Sequence, residues 1–136
     1  MTDEPLNLDL DYGPKLGTKT DYKIGVIGSG FIMRDVHLAA YEEAAFDVVA
    51  IASRTPQNAR AVAELRGIER VHDDWPDLLA NPDVEIVDIA YPPDQQLGII
   101  REAMKHADHI KGILAQKPLA TNLADAAEIV RLCDKA

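Results

Sequence analysis

Two glycines one residue apart, Gly28 and Gly30, follow directly on the apolar run Lys23-Ile24-Gly25-Val26-Ile27. In a strand-to-helix turn the first lets the chain reverse tightly. The second has no side chain, so a diphosphate can approach amides at the N-terminus of the next helix, where the macrodipole favours negative charge. Gly28, Gly30, Phe31 and Ile32 are therefore the expected phosphate-side contacts of a dinucleotide. Met33 stands where that fingerprint has its third glycine, which predicts a helix set slightly further from the strand. Two glycines alone are equally well explained as a tight turn; the strand before them and the helix after them favour the ligand. Asp35, in the first helical turn, complements the dipole and is given no ligand contact.

The end of the second apolar run reads Ala52-Ser53-Arg54-Thr55. A domain selective for NAD places a carboxylate there, to hold the ribose hydroxyls and repel an extra phosphate. A neutral hydroxyl at Ser53 followed by the Arg54 guanidinium suits the 2′-phosphate of NADP instead. NADP is favoured. NAD or dual use stays open, because Arg54 is equally readable as a solvated loop residue.

A lysine, Lys117, follows the apolar run Gly112-Ile113-Leu114-Ala115 and precedes Pro118. At the carboxyl end of a buried strand a lysine can donate to a substrate oxygen and stabilise negative charge as hydride leaves the carbon, and partial burial would ready it for proton transfer. Pro118 fixes the turn and can take a cis bond. On spacing alone a solvated loop lysine explains Lys117 as well. Tyr91 and Pro92, in a stiff diproline elbow after the fourth apolar run, fall on the same sheet edge and are expected to wall the nicotinamide. Gln95 and Gln96 just beyond could reach the pocket from there, yet as surface helix residues they need no function.

Positioning these groups requires a parallel sheet with crossover helices. Strands are predicted at 23–27, 48–52, a short one near 70–71, 85–90 and 112–115, separated by amphipathic segments. Ile32, Val36 and Ala39 share one predicted helical face, and Leu97, Ile100, Met104 and Ala107 share another. Thr55 before Pro56 reads as an N-cap, as does Asn122 with Asp125 in the first turn. Leu123, Ala126, Val130 and Cys133 are then expected to line the buried side of the last helix. The fold class is α/β: a Rossmann-type doubly wound parallel sheet over 21–136, after an extension at 1–20 without period that drapes or stays mobile.

The 136 residues fit one domain, and 47% hydrophobic content can build its core. A net charge of -9 disfavours nucleic acid and anionic membranes as partners. The acidic N-terminus lacks the apolar run of a signal peptide or span. The single cysteine permits no intrachain disulfide, so the cytoplasm is the default compartment. His106, Asp108 and His109 lie close in sequence, but no third ligand beside the two imidazoles is evident, and no metal site is expected. His72 and Trp75 read as a surface turn anchored by the ring. His37 reads as helix packing or a local hydrogen bond, with cofactor-side contact as a minority alternative.

From Tyr22 to Ala136 the chain resembles the N-terminal domain of the glucose-fructose oxidoreductase, inositol dehydrogenase and rhizopine catabolism family. The landmarks are KIGVIGSGFIM followed by His37-Leu38, VVAIASR, NPDVEIVDIAYPPD, and AQKPLA where the family writes Glu-Lys-Pro. The resemblance implies an NAD- or NADP-dependent enzyme oxidising a secondary hydroxyl of a sugar or cyclitol, often as a homo-oligomer, with Lys117 as its active-site lysine. It places Gln116 on the cofactor side in the position of the motif's glutamate, and Gln96 where a histidine is common. It also implies a sixth strand and a substrate domain. A chain ending at 136 is therefore expected to bind cofactor without turning over sugar, and to self-associate through an uncovered edge. The rival expectation is a non-catalytic nucleotide-sensing or partner-binding module, with a purely structural subunit as a third class.

Overall fold

The computed structural model describes residue 10 and residues 13–136. Most of the predicted extension lies outside the described residues. The part that is described, 13–20, contains no helix or strand. Five parallel strands follow: β1 (Lys23–Ile27), β2 (Asp47–Ala52), β3 (Arg70–His72), β4 (Ile86–Ile89) and β5 (Gly112–Ala115). Their order is β3-β2-β1-β4-β5. The chain fills one side of β1 first, then returns to add β4 and β5 on the other. This reversal is the topological switch that defines a doubly wound Rossmann sheet and opens a crevice between the carboxyl ends of β1 and β4.

Side-chain alternation along each strand divides the core between two faces. Ile24 and Val26 of β1 join Ile51 on one face, covered by Met33, Leu38 and by α2 (Pro56–Arg66) through Ala59 and Val62. On the other face Ile27, Val87 and Ile89 meet Leu78 and Leu79 of α3 (Trp75–Leu79) and Ile99 and Ile100 of α4 (Pro93–Ala103). A last helix, α5 (Leu123–Asp134), packs on α4 and buries Ile129. Trp75 is half-buried against the second core, beside the Asp74 cap of α3, so the expected anchored turn is present.

Helical faces are where the structure departs from the periodic reading. Between Gly30 and α1 (Leu38–Glu43) the chain forms a π-helix over Ile32–His37, and the Leu38 N–H bonds the Met33 carbonyl five residues back. The wider turn puts Met33 and Leu38 inward and leaves Ile32 and Val36 exposed. Met33 is therefore a core residue, with a burial worth about 1.5–3 kcal/mol. In α5 the expected stripe is rotated: Leu123, Val130 and Cys133 are exposed. That helix has α4 as its neighbour, and one neighbour covers a narrow strip. In α4 Ile100 is buried as expected, Leu97 and Met104 are partly covered, and Ala107 is exposed past the helix end. Gln96, expected on the surface, is fully buried.

The two predicted caps behave differently. Asn122 Oδ1 accepts from the Asp125 N–H at 2.9 Å, a complete side-chain cap. Thr55 has the extended backbone of a cap residue before Pro56, but its hydroxyl makes no cap bond. Its own N–H instead reaches Ser53 Oγ at 3.4 Å.

Candidate functional site

The carboxyl ends of β1, β2 and β4 meet around a groove of about 220 Å³. Gly28, Gly30, Ser53, Arg54, Tyr91 and Pro92 line it, six of the residues expected from sequence, joined by Ser29, Thr55, Asn58 and Ala90. Gly28 is required by the fold: its φ is +123°, and a Cβ there would lie 2.6 Å from the Ala90 carbonyl oxygen. Gly30 is different, because a Cβ added to it meets no atom of the described residues within 4 Å. The chain's own packing thus gives no reason for glycine at 30, whereas a group seated over the turn would.

The Gly28–Gly30 turn is tied to β2 by a hydrogen bond of 2.7 Å between Ser29 Oγ and Ser53 Oγ. Ser53 is buried, so its hydroxyl braces the turn, while Arg54 is exposed on the rim. Tyr91 is half-buried, and that burial raises its pKa; the Arg54 backbone N–H at its hydroxyl and the Arg54 charge oppose the shift. The side chains of Phe31 and Ile32 are exposed and do not line the groove. Their expected contribution is therefore confined to the backbone at the start of the helical segment. A wider hollow of about 410 Å³, lined by Lys23, Asp47, Glu69, Arg70 and Asp83 among others, lies at the amino ends of the strands. Ligands of open α/β sheets bind at the opposite ends.

Beside the groove, the end of β5 lies next to the end of β4 through a bond from the Gln116 N–H to the Ile89 carbonyl at 3.0 Å. Lys117 follows and is exposed, so the expected partial burial is not supplied by the described residues. The Lys117–Pro118 peptide is cis. Gln96 Nε2 donates to the carbonyls of Gln116 at 2.7 Å and Pro118 at 2.9 Å, clamping this turn from the α4 side. On the opposite face Gln116 Nε2 meets His37 Nε2 at 3.3 Å, and His37 Nδ1 lies 2.8 Å from Asp88 Oδ2. Tyr41 donates its hydroxyl to the same oxygen at 2.7 Å, and its pKa is pushed up by burial first and by that bond second.

Asp88, Tyr41 and Ser29 were not found by the sequence reading. A lone carboxylate inside the apolar run Ile86-Val87-Asp88-Ile89-Ala90 was the available signal, since a buried polar group requires partners. The expectation that His106 and His109 lack a third ligand is corrected. Asp108 places an oxygen with them, all three ligand atoms within 4.8 Å of one another. His109 Nε2, however, is also 3.0 Å from the Leu79 carbonyl. Among the described residues no helix is long and apolar enough to cross a membrane.

Comparison with known proteins agrees with this geometry. The profile of the oxidoreductase family with an NAD-binding Rossmann fold matches residues 22–136. A D-apiose dehydrogenase of Rhizobium rhizogenes is 32% identical over 117 residues, which are 86% of this chain and 33% of the relative. A crystal structure of a 3-ketoreductase from Actinomadura kijaniata with NADP and TDP-benzene superposes with a TM-score of 0.75 at 31% identity, covering 85% of this chain and 34% of that one. An oxidoreductase from Agrobacterium radiobacter, in complex with NAD+, L-tartaric acid and magnesium, gives 0.77 at 31%, covering 85% and 33%. The chain spans about a third of the length of the relatives it matches. A Rossmann sheet with a glycine turn after its first strand, matched over 22–136, makes this chain a member of the glucose-fructose oxidoreductase and inositol dehydrogenase family.

Proposed function

We propose that this chain binds the diphosphate and adenosine side of a nicotinamide dinucleotide over the Gly28–Gly30 turn, NADP in preference to NAD, and presents Lys117 to a sugar or cyclitol hydroxyl. The observation that carries the reading is the open space over Gly30, where a Cβ would touch nothing. The groove is smaller than the ~300–1,000 Å³ that encloses a drug-sized ligand, so it holds one part of a dinucleotide and leaves the rest along the strand ends. Relatives with NADP and with NAD+ support the cofactor class, and the Arg54 rim with no carboxylate at Ser53 supports NADP.

The nicotinamide supplies or accepts hydride. Residues of this chain do the remainder. Backbone amides after Gly30 and the positive end of the helical segment hold the phosphates. Ser29 and Ser53 keep the turn and β2 in register, and Tyr91 and Pro92 close the β4 side against water. Lys117 donates to the substrate oxygen and stabilises the negative charge there as the carbon changes oxidation state. The small-molecule partner, assembly into homo-oligomers and a cytoplasmic location belong to the same reading.

The test is thermal unfolding with each nucleotide. A ligand selective for the native state at 100 times its Kd adds about 2.7 kcal/mol, so NADP is expected to raise Tm by several degrees and NAD by less. Arg54→Ala is expected to erase the difference. Equal, negligible shifts with both nucleotides would overturn the reading.

A further inference from the structure

The hydrogen bonds between the Lys117 turn and Asp88 run in one direction. The Lys117 N–H lies 2.8 Å from Gln116 Oε1, which must accept. That contact fixes the orientation of the amide, because turning it over would place two donors face to face. Gln116 Nε2 therefore donates to His37 Nε2, so that ring nitrogen carries a lone pair. The proton of the neutral ring sits on Nδ1, which donates to Asp88 Oδ2. Asp88 is 1% exposed, and its Oδ1 has no hydrogen-bond partner among the described residues. A buried acceptor so placed must take its hydrogen bonds from the few donors in reach.

We infer that Asp88 is a positioning residue: through a neutral His37 held in its Nδ1–H tautomer, it orients the Gln116 amide and so sets the backbone of the Lys117 turn. Each link accepts on one side and donates on the other, so the polarisation adds along the chain. The device links elements distant in sequence. Asp88 comes from β4, His37 from the π-helical segment, and Gln116 from the end of β5, 79 residues from His37. His37 is the last residue of the π-helical segment, and such segments recur at functional sites. Gln96 holds the same turn from the other face of the sheet through two carbonyls. The turn is thus fixed on both sides while the Lys117 side chain stays exposed. The consequence for catalysis rests on the proposed role of Lys117; the tautomer and the fixed turn do not.

The arrangement also gives meaning to glutamine at 116. A carboxylate there would set an acceptor against the His37 Nε2 lone pair, and only a second ring proton would restore the contact. The titratable groups on that ring are Asp88 from β4 and, through the shared oxygen, Tyr41 from α1.

The experiment is nitrogen NMR of the histidine rings in the 136-residue chain at neutral pH, with no nucleotide present. His37 is expected to show a protonated Nδ1 and a bare Nε2, the less common neutral tautomer. Hydrogen exchange supplies the second readout: in His37→Phe the Lys117 amide is expected to exchange about tenfold faster, one lost hydrogen bond's worth, while the Val26 amide in β1 is unchanged. A His37 ring protonated on Nε2 alone, or a Lys117 amide indifferent to His37→Phe in a folded variant, would overturn the inference. Neither readout involves cofactor, so its failure is distinct from failure of the nucleotide reading.

Discussion

The carbonyl oxygen of Ala90 stands 2.6 Å from the position a Cβ would take on Gly28, whereas the equivalent position on Gly30 faces open space. One glycine answers to the residue after the neighbouring strand, and the other answers to nothing among the described residues.

That contrast separates folding from binding by mutation. Gly28→Ala meets both the clash and a φ of +123°, and sparsely populated backbone states cost ~1–3 kcal/mol, so its unfolding midpoint should fall clearly. Gly30→Ala should stay within ~0.5 kcal/mol of the parent in denaturant unfolding, yet lose most of the stabilisation by NADP. A Gly30→Ala chain that binds NADP as the parent does would show that the space over the turn is unused.

Met33 tests whether a complete glycine fingerprint suits this fold. The side chain is fully buried among Val26, Leu38 and Ile51. Met33→Gly would write the third glycine into the turn. It should nevertheless destabilise by ~3 kcal/mol or more, from the cavity and the added backbone freedom. Urea unfolding of the two chains decides the matter.

Gln96 donates to two carbonyls, and its own Oε1 is buried without a partner among the described residues. Gln96→Met keeps the volume but strands the carbonyls of Gln116 and Pro118. The expected loss is ~1–3 kcal/mol, with faster hydrogen exchange concentrated at residues 116–119 rather than spread over the sheet.

His72 gives a pH dependence. Burial lowers its pKa from 6.5, with the Arg70 charge adding and Asp77 opposing. Asn81 Oδ1 takes the Arg70 guanidinium and the Asp83 N–H, which leaves Nδ2 to donate to His72 Nε2 at 3.4 Å. Because the native pKa is depressed, the unfolded state binds more protons as pH falls. The contribution is complete above pH 6.5 and is lost on going down through the native value. Stability measured from pH 8 to pH 5 should decline over the lower part of that range, and His72→Gln should flatten the decline.

The strands were legible because each is a short β-branched run bounded by turn residues: 23–27 and 112–115 were placed to the residue. The groove was legible because turn glycines and strand ends declare themselves locally. The buried faces of α5 and of the segment after Gly30 were not. Periodicity assumes 3.6 residues per turn and a neighbour along the whole stripe, and here the π-helical step and a single covering helix broke those assumptions in turn.

Sequence by itself determined the class of fold, the glycine turn after β1 and the lysine at the sheet edge, since each depends on residues near one another in the chain. Only the tertiary structure decided which glycine the fold needs, that Gln96 is interior, and that Asp88 reaches Gln116 through His37. Those are contacts between β4, a π-turn and the end of β5. Hydrogen-bond partners separated by 51 and 79 residues are brought together by sheet order, which local propensity does not encode.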